Sequence, residues 1–211
     1  MSKRPKALIY GRDEMPPRLA VAVLALQHAG LALVFLVYAV LIGKAAGFTP
    51  EQIDLVVITH CHPDHIGGLA AEGKPLCPNA RYMIGETEYA FWSAPERLSG
   101  PAEGAAKLVA ANVTPFKEKM TFLKNESEVT AGIHAFDAPG HTPGHMAFHL
   151  ESGGSRMLLG ADFCNHYVLS MQRPDWEVKF DADKAQAATT RKKILDMLAT
   201  DRIPFTSYHM P

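Results

Sequence analysis

Ten consecutive residues constrain this chain more than anything else in it: Thr59-His60-Cys61-His62-Pro63-Asp64-His65-Ile66-Gly67-Gly68. They follow a β-branched run, Ile53 to Thr59, which fits a strand buried on both faces. Four metal-ligating side chains therefore stand within six positions at the carboxyl end of a strand. Alternate side chains of an extended chain share a face, so His60 and His62 point to one side and Cys61 points away, into packing. Pro63 stops the strand, and the turn behind it can bring Asp64 and His65 to a neighbouring point. Gly67-Gly68 let the backbone turn sharply and start a helix near the site. Imidazoles with a carboxylate suit zinc, and iron, manganese or cobalt also match the donor set. A chance group of surface histidines is the plain alternative, and the strand context argues against it.

Further ligands of such a site belong at other strand ends. Ile133 to Asp137, Met146 to Glu151 and Arg156 to Leu159 have strand character, and Gly153-Gly154 marks a hairpin turn between the last two. The first of these runs into Ala138-Pro139-Gly140-His141-Thr142-Pro143-Gly144-His145, the third into Gly160-Ala161-Asp162, and a last short strand from Phe205 into His209. Arg81 to Ile84 forms another strand, Glu86 to Trp92 a helix, residues 93–104 a loop, and Thr49 to Gln52 a helical turn. Asp183 to Ala199 is the clearest helix, with an Asp N-cap and an apolar side of Ala187, Ala188, Ile194, Leu195 and Leu198. Strands interleaved with helices predict an α/β (α+β) layered domain.

Composition sharpens the functional classes. With 21 basic and 22 acidic residues the formal charge is −1, so no global field draws a nucleic-acid backbone. Three cysteines, Cys61, Cys77 and Cys164, form neither a disulfide framework nor a CxxC metal site. Residues 1–43 stand apart: a charged start is followed by Leu19 to Gly43, almost wholly apolar except for Gln27 and His28. The stretch is long enough to span a bilayer, but Gln27 and His28 would sit at its middle, where polar groups are costly. Asp13 and Glu14 are atypical of a signal peptide. We read it as core of a cytoplasmic protein, with membrane contact or export through 1–43 as the competing readings.

The HxHxDH pattern, a later His, a later Asp and a final His resemble the metallo-β-lactamase-fold hydrolases over residues 44–211. Within them, Tyr89-Ala90-Phe91-Trp92 and the helix from Asp183 are similar to the methyl-parathion-hydrolase-like and lactonase-like subgroup. The resemblance implies an αββα sandwich with an incomplete first half, since no Asp-Thr-Gly turn occurs in residues 1–43 and the chain stops two residues after His209. It implies that His60, His62 and His141 hold one divalent ion and Asp64, His65 and His209 a second, with Asp162 bridging. A hydroxide shared by the two ions would then attack a small ester, lactone or phosphotriester, with Asp64 moving the proton. His145 cannot join His141 on one helical face across Pro143-Gly144, so its expected role is a hydrogen bond to a ligand segment. Phe91 and Trp92 are candidates for a substrate wall. The expected partner is a small-molecule substrate. The alternative is a truncated, non-catalytic metal-binding chain of the same fold.

Overall fold

The computed structural model describes residues 45–210. Its first element is a 3-10 turn, Pro50–Gln52, where the Gln52 side chain closes back on the Thr49 amide at 2.8 Å, as the helical-turn expectation required. Strand β1 (Leu55–Ile58) follows, shorter than the sequence suggested and only partly buried over Leu55 to Val57. Among the described residues it lies at the edge of its sheet, which accounts for the exposure.

Helix α1 (Pro63–Ile66) begins at once, with His62 as N-cap and Pro63 in the first turn. Proline is pre-set for that position and lacks the N–H that would otherwise be unpaired. The glycine pair therefore closes this short helix instead of opening one, since the Gly67 amide caps it by binding the Pro63 carbonyl. A small hairpin, β2 (Ala70–Ala71) with β3 (Lys74–Pro75), precedes β4 (Arg81–Gly85) and α2 (Glu86–Ser93). Two 3-10 turns occupy the expected loop. Helix α3 (Glu103–Asn112), unanticipated, is alanine-rich and buries Ala106, Val109 and Asn112. Strand β5 (Met120–Leu123) was also unanticipated. It completes a parallel three-stranded sheet in the order β1-β4-β5.

The second sheet has five strands in the order β10-β9-β8-β7-β6. Its strands are β6 (Glu128–Thr130), β7 (Ile133–Asp137), β8 (Met146–Ser152), β9 (Ser155–Leu159) and β10 (Phe205–Thr206). Gly153 and Gly154 have φ of 55° and 77°, the left-handed pair that a two-residue hairpin demands. Between β9 and β10 come α4 (Leu169–Gln172) and α5 (Lys184–Asp201), whose N-cap Asp183 accepts from the Gln186 amide at 2.9 Å.

Side-chain alternation turns these pieces into four layers. Leu55, Val57 and Met83 face Ala135, Met146 and Phe148 of the second sheet. Ile58 and Ile84 point the other way, onto Tyr89, Trp92 and Val109 of α2 and α3. On the far side, Ile194 and Leu198 of α5 cover Ala147 and Leu158. The result is the expected helix–sheet–sheet–helix sandwich. The incomplete first half, the separate segment 1–43 and the apolar stretch all concern sequence outside the described residues. Among those described, no helix is long and apolar enough to cross a membrane.

Candidate metal centre

The site is assembled at the ends of strands from both sheets. β1 delivers His60 and His62 in extended chain, and α1 carries Asp64 and His65 round to the same side. β7 leads into the loop bearing His141. There Gly140 has φ +128°, and a Cβ on it would lie 2.3 Å from the Ala187 amide nitrogen, so only glycine lets the loop meet the start of α5. The Ala182 and Asp183 amides bind the His141 and Gly140 carbonyls, both at 3.0 Å.

β9 ends at Asp162, preceded by Ala161 with φ +50°, a left-handed conformation that a residue with a Cβ rarely adopts. That turn is held from β10. Parallel pairing of Phe205 with Leu158 and Thr206 with Leu159 runs residues 207–209 alongside residues 160–162. The Tyr208 amide then binds the Ala161 carbonyl at 2.9 Å, and the Ser207 hydroxyl donates to the Ala161 and Cys164 carbonyls. In this way the weakest sequence candidate, His209, arrives beside Asp162.

All seven candidate ligands converge. Asp162 Oδ2 is 3.3 Å from His141 Nε2, 3.1 Å from His209 Nε2 and 4.0 Å from His60 Nε2, while Oδ1 is 3.3 Å from His65 Nε2. Asp64 Oδ2 lies 3.6 Å from His65 Nε2 and 3.4 Å from His209 Nε2. His62 Nδ1 faces His141 Nε2 at 2.9 Å. Donor atoms of His60, His62 and His141 cluster closely enough to share one ion, as do those of Asp64, His65 and His209, and those of His60, His65 and Asp162. Buried His60 Nε2, His65 Nε2 and Asp162 Oδ1 have only imidazole–carboxylate contacts within this cluster, at 3.3–4.0 Å. Buried polar atoms are normally well paired, so ligand-type atoms turned towards one another with no other partner fit a cation.

His145 is not among these groups. Its Nε2 accepts the Asp162 amide at 3.0 Å, which fixes the turn that aims the carboxylate. Cys61 is fully buried in the helix-side core. Trp92 is nearly buried beside His62, with ring centroids 6.2 Å apart, and Phe91 stacks under the Arg97 guanidinium.

Three further residues were not singled out from the sequence. Glu88, fully buried on α2, accepts from Cys61 and Gly144 amides, the Thr142 hydroxyl and the Trp92 indole. Asp181 Oδ1 binds His141 Nδ1 at 2.9 Å, and its Oδ2 takes Arg191 Nη2 at 3.1 Å. A glutamate in a helix and an arginine in a helix face look like surface charges until the fold shows where they point. The Asp N-cap pattern at Asp183 was the only nearby signal.

Charge balance reflects these contacts. Burial alone would raise Asp162, but hydrogen bonds from His141, His209 and His65 outweigh it and hold the carboxyl well below the usual range. Burial opposes protonation of His141, yet Asp162 and Asp181 push it up to about 9. Hydrogen bonds to Asp162 and Asp64 push His209 up to about 10. Burial, helped by the neighbouring His141, lowers His62 to about 4 and His145 to about 3.

The metal-free chain is therefore expected to be most stable near pH 6.5, the ordinary imidazole value. Below it, the unfolded state takes up protons that folded His62 and His145 refuse. Above it, the unfolded state releases protons that folded His141 and His209 keep until about 9 and 10. Urea midpoints of chelator-treated protein at pH 5, 6.5 and 9 measure this; a midpoint rising steadily to pH 9 would contradict it.

Comparisons with known proteins bear on the family and the fold. The N-acyl homoserine lactonase AttM of Agrobacterium fabrum is 26% identical over 122 residues, 55% of this chain and 43% of the relative. The N-acyl homoserine lactonase of Bacillus cereus is 27% identical over 116 residues, 55% of this chain and 40% of the relative. The chain thus spans less than half the length of these relatives. Among solved structures, AidC, a dizinc quorum-quenching lactonase in complex with a product, has a TM-score of 0.71 at 28% identity, covering 80% of this chain and 61% of that one. AbOPH, a hydrolase in the beta lactamase superfamily, has a TM-score of 0.72 at 26% identity, with 80% and 61% covered. The sequence pattern of the metallo-beta-lactamase superfamily matches residues 26–200, a span that begins inside the apolar stretch and ends before His209. With most of its length matched and its strand-end histidines and aspartates gathered at one point, this chain belongs to the metallo-β-lactamase superfamily.

Proposed function

We propose that this protein is a metal-dependent hydrolase that opens a lactone, a cyclic ester, with two divalent ions, zinc in the first instance. The observation that carries the reading is the convergence of seven imidazole and carboxylate side chains, in three groups whose ligand atoms lie close enough to share an ion. Among ester, lactone and phosphotriester, the lactonase relatives support lactone.

In this reading His60, His62 and His141 hold one ion, Asp64, His65 and His209 the other, and Asp162 lies between them. Bound there, the ions supply a water-derived nucleophile at neutral pH and polarise the scissile carbonyl. The chain's own residues do the remaining work. Asp181, fixed by Arg191, accepts a hydrogen bond from the Nδ1–H of His141 and so presents Nε2 to the site. His145 accepts the Asp162 amide and holds that carboxylate's turn. Asp64 is about one quarter exposed, and its pKa is lowered by the His209 hydrogen bond against the opposing effect of burial. It is thus an ionised acceptor that can take a proton and pass it to the leaving ring oxygen. Trp92, next to His62, and Phe91, which packs edge-on against Trp92, offer an apolar side on which an acyl chain would lie.

Elemental analysis after purification with zinc is expected to give about two equivalents per chain, and an N-acyl homoserine lactone should be hydrolysed in a pH-stat. Metal without turnover of any lactone, ester or phosphotriester would instead mark a non-catalytic metal-binding chain. Less than trace metal would end the proposal. His60→Ala should cost at least about 10³ in turnover, whereas His145→Ala, which removes one hydrogen bond behind a ligand, should cost about 10–100-fold. Equal losses would place His145 on a metal.

A further inference from the structure

We infer that Glu88 is a positioning residue that sets the separation of the two loops carrying His60, His62 and His141; this rests on the metal reading of those histidines. Glu88 carries no ligand, and its helix contributes none. Yet its side chain is fully buried against the core that includes Trp92. A carboxylate in such a place is tolerated only when its lone pairs are filled. Here all the donors come from specific places. Oε1 accepts the Cys61 amide and the Trp92 indole N–H, both at 2.8 Å. Oε2 accepts the Thr142 hydroxyl at 2.7 Å and the Gly144 amide at 3.0 Å.

Cys61 lies between His60 and His62, and Thr142 follows His141. The two carboxylate oxygens, a fixed distance apart, therefore grip one ligand loop each. The grip is tight on the second loop: a Cβ on Gly144 would sit 2.1 Å from the Glu88 amide nitrogen. Helix α2 and the His141 loop are in backbone contact with no room for a side chain between them. A carboxylate that only filled space in the core would not need acceptors on both sides, nor donors next to ligands on both loops.

Replacing the carboxylate by an amide, Glu88→Gln, distinguishes the two sides of the grip. The new amide group must face one of the two loops. Towards Cys61 and Trp92 it would oppose two N–H donors. Towards Thr142 and Gly144 it opposes one, because the Thr142 hydroxyl can rotate and accept. Gln therefore keeps the Cys61 side and loosens the Gly144 side, and the His141 loop is the one that shifts.

The test compares full-length wild type, Glu88→Gln and Phe116→Leu, a core truncation in a cluster with Ala80 and Tyr82 that includes no residue of either loop. Zinc affinities come from competition with a chromophoric chelator, coordination from the visible spectrum of the cobalt(II) form, and stability from unfolding of the metal-free chains. Glu88→Gln is expected to weaken one of the two metal equivalents by about 10–100-fold, leave the other within about threefold, and alter the cobalt spectrum. Phe116→Leu should lower the unfolding midpoint and change neither affinities nor spectrum. If Glu88→Gln does not fold, Thr142→Val, which removes one of the four donors, should show the same one-site loss at about 3–10-fold, with Thr142→Ser restoring it. Wild-type affinities and spectrum in these variants, or a proportional loss at both sites, would overturn the inference while leaving the metal reading intact. A wild type that binds no metal would overturn both.

Discussion

Asp162→Ala should reduce lactone turnover by at least about 10³ and lower bound metal from two equivalents to one or fewer. This carboxylate is almost completely buried and lies within 3.1–4.0 Å of nitrogens from His209, His65, His141 and His60. It is the negative charge around which four imidazoles are packed. Removing it leaves His60 with no carboxylate beside it and the other three with only Asp181 or Asp64, and His141 and His209, which it pushes up, would fall back towards ordinary imidazole behaviour. Asp162→Asn separates charge from shape: it keeps the volume and the fold but loses an anionic oxygen, so metal should still fall. Turnover within tenfold of wild type and two bound ions in Asp162→Ala would sink the assignment of Asp162 as the shared ligand.

The largest effect on stability is expected away from the ligands. Arg191→Met should destabilise the fold by about 3–5 kcal/mol, because breaking a buried ion pair strands its partner. Arg191 is 1% exposed, and its guanidinium donates to the Phe163 carbonyl at 3.0 Å, to the Pro174 and Trp176 carbonyls at 2.8 and 3.1 Å, and to Asp181. Methionine fills the space and answers none of these acceptors. Asp181 would be left as a buried carboxylate with one partner, His141, so zinc affinity should fall as well. Arg191→Lys should rescue little, since a single ammonium cannot reach acceptors spread along the fork of a guanidinium. Urea unfolding with an unchanged slope measures the loss; a change below about 1 kcal/mol would show that the segment holds without this hub.

How far the sequence led differs between the parts of the molecule, for physical reasons. The candidate ligands, which the fold brings together, were legible because metal coordination restricts residue type. Few side chains supply imidazole nitrogen or carboxylate oxygen, and HxHxDH places four of them within six positions after a β-branched run. Strands β7, β8 and β9 were legible for a similar reason: each has an alternating or turn-bounded pattern, and Gly153-Gly154 fixes the hairpin between two of them, whereas the short antiparallel strands β2, β3 and β6 were not read. Helix α3 and strand β5 were missed. The first comes after a proline- and glycine-rich loop that masks its start, and the second has two exposed residues at its centre with no alternation to betray it.

The groups behind the ligands could be decided only by tertiary structure. Glu88, Asp181 and Arg191 are charged residues in segments whose local pattern says solvent. Their burial comes from α2 and α5 packing across loops far away in sequence: Glu88 meets Gly144 56 positions on, and Asp181 meets His141 40 positions back. His209 belongs to the same class, since only the parallel register of β10 on β9 carries it to Asp162. By itself, then, the sequence determined the layered fold and which imidazole and carboxylate side chains are candidate ligands, because coordination chemistry and backbone periodicity are local constraints. Which charges would be buried to hold those ligands in place was decided by the folded chain, because a carboxylate or guanidinium can leave water only where distant segments bring the donors and acceptors that replace it.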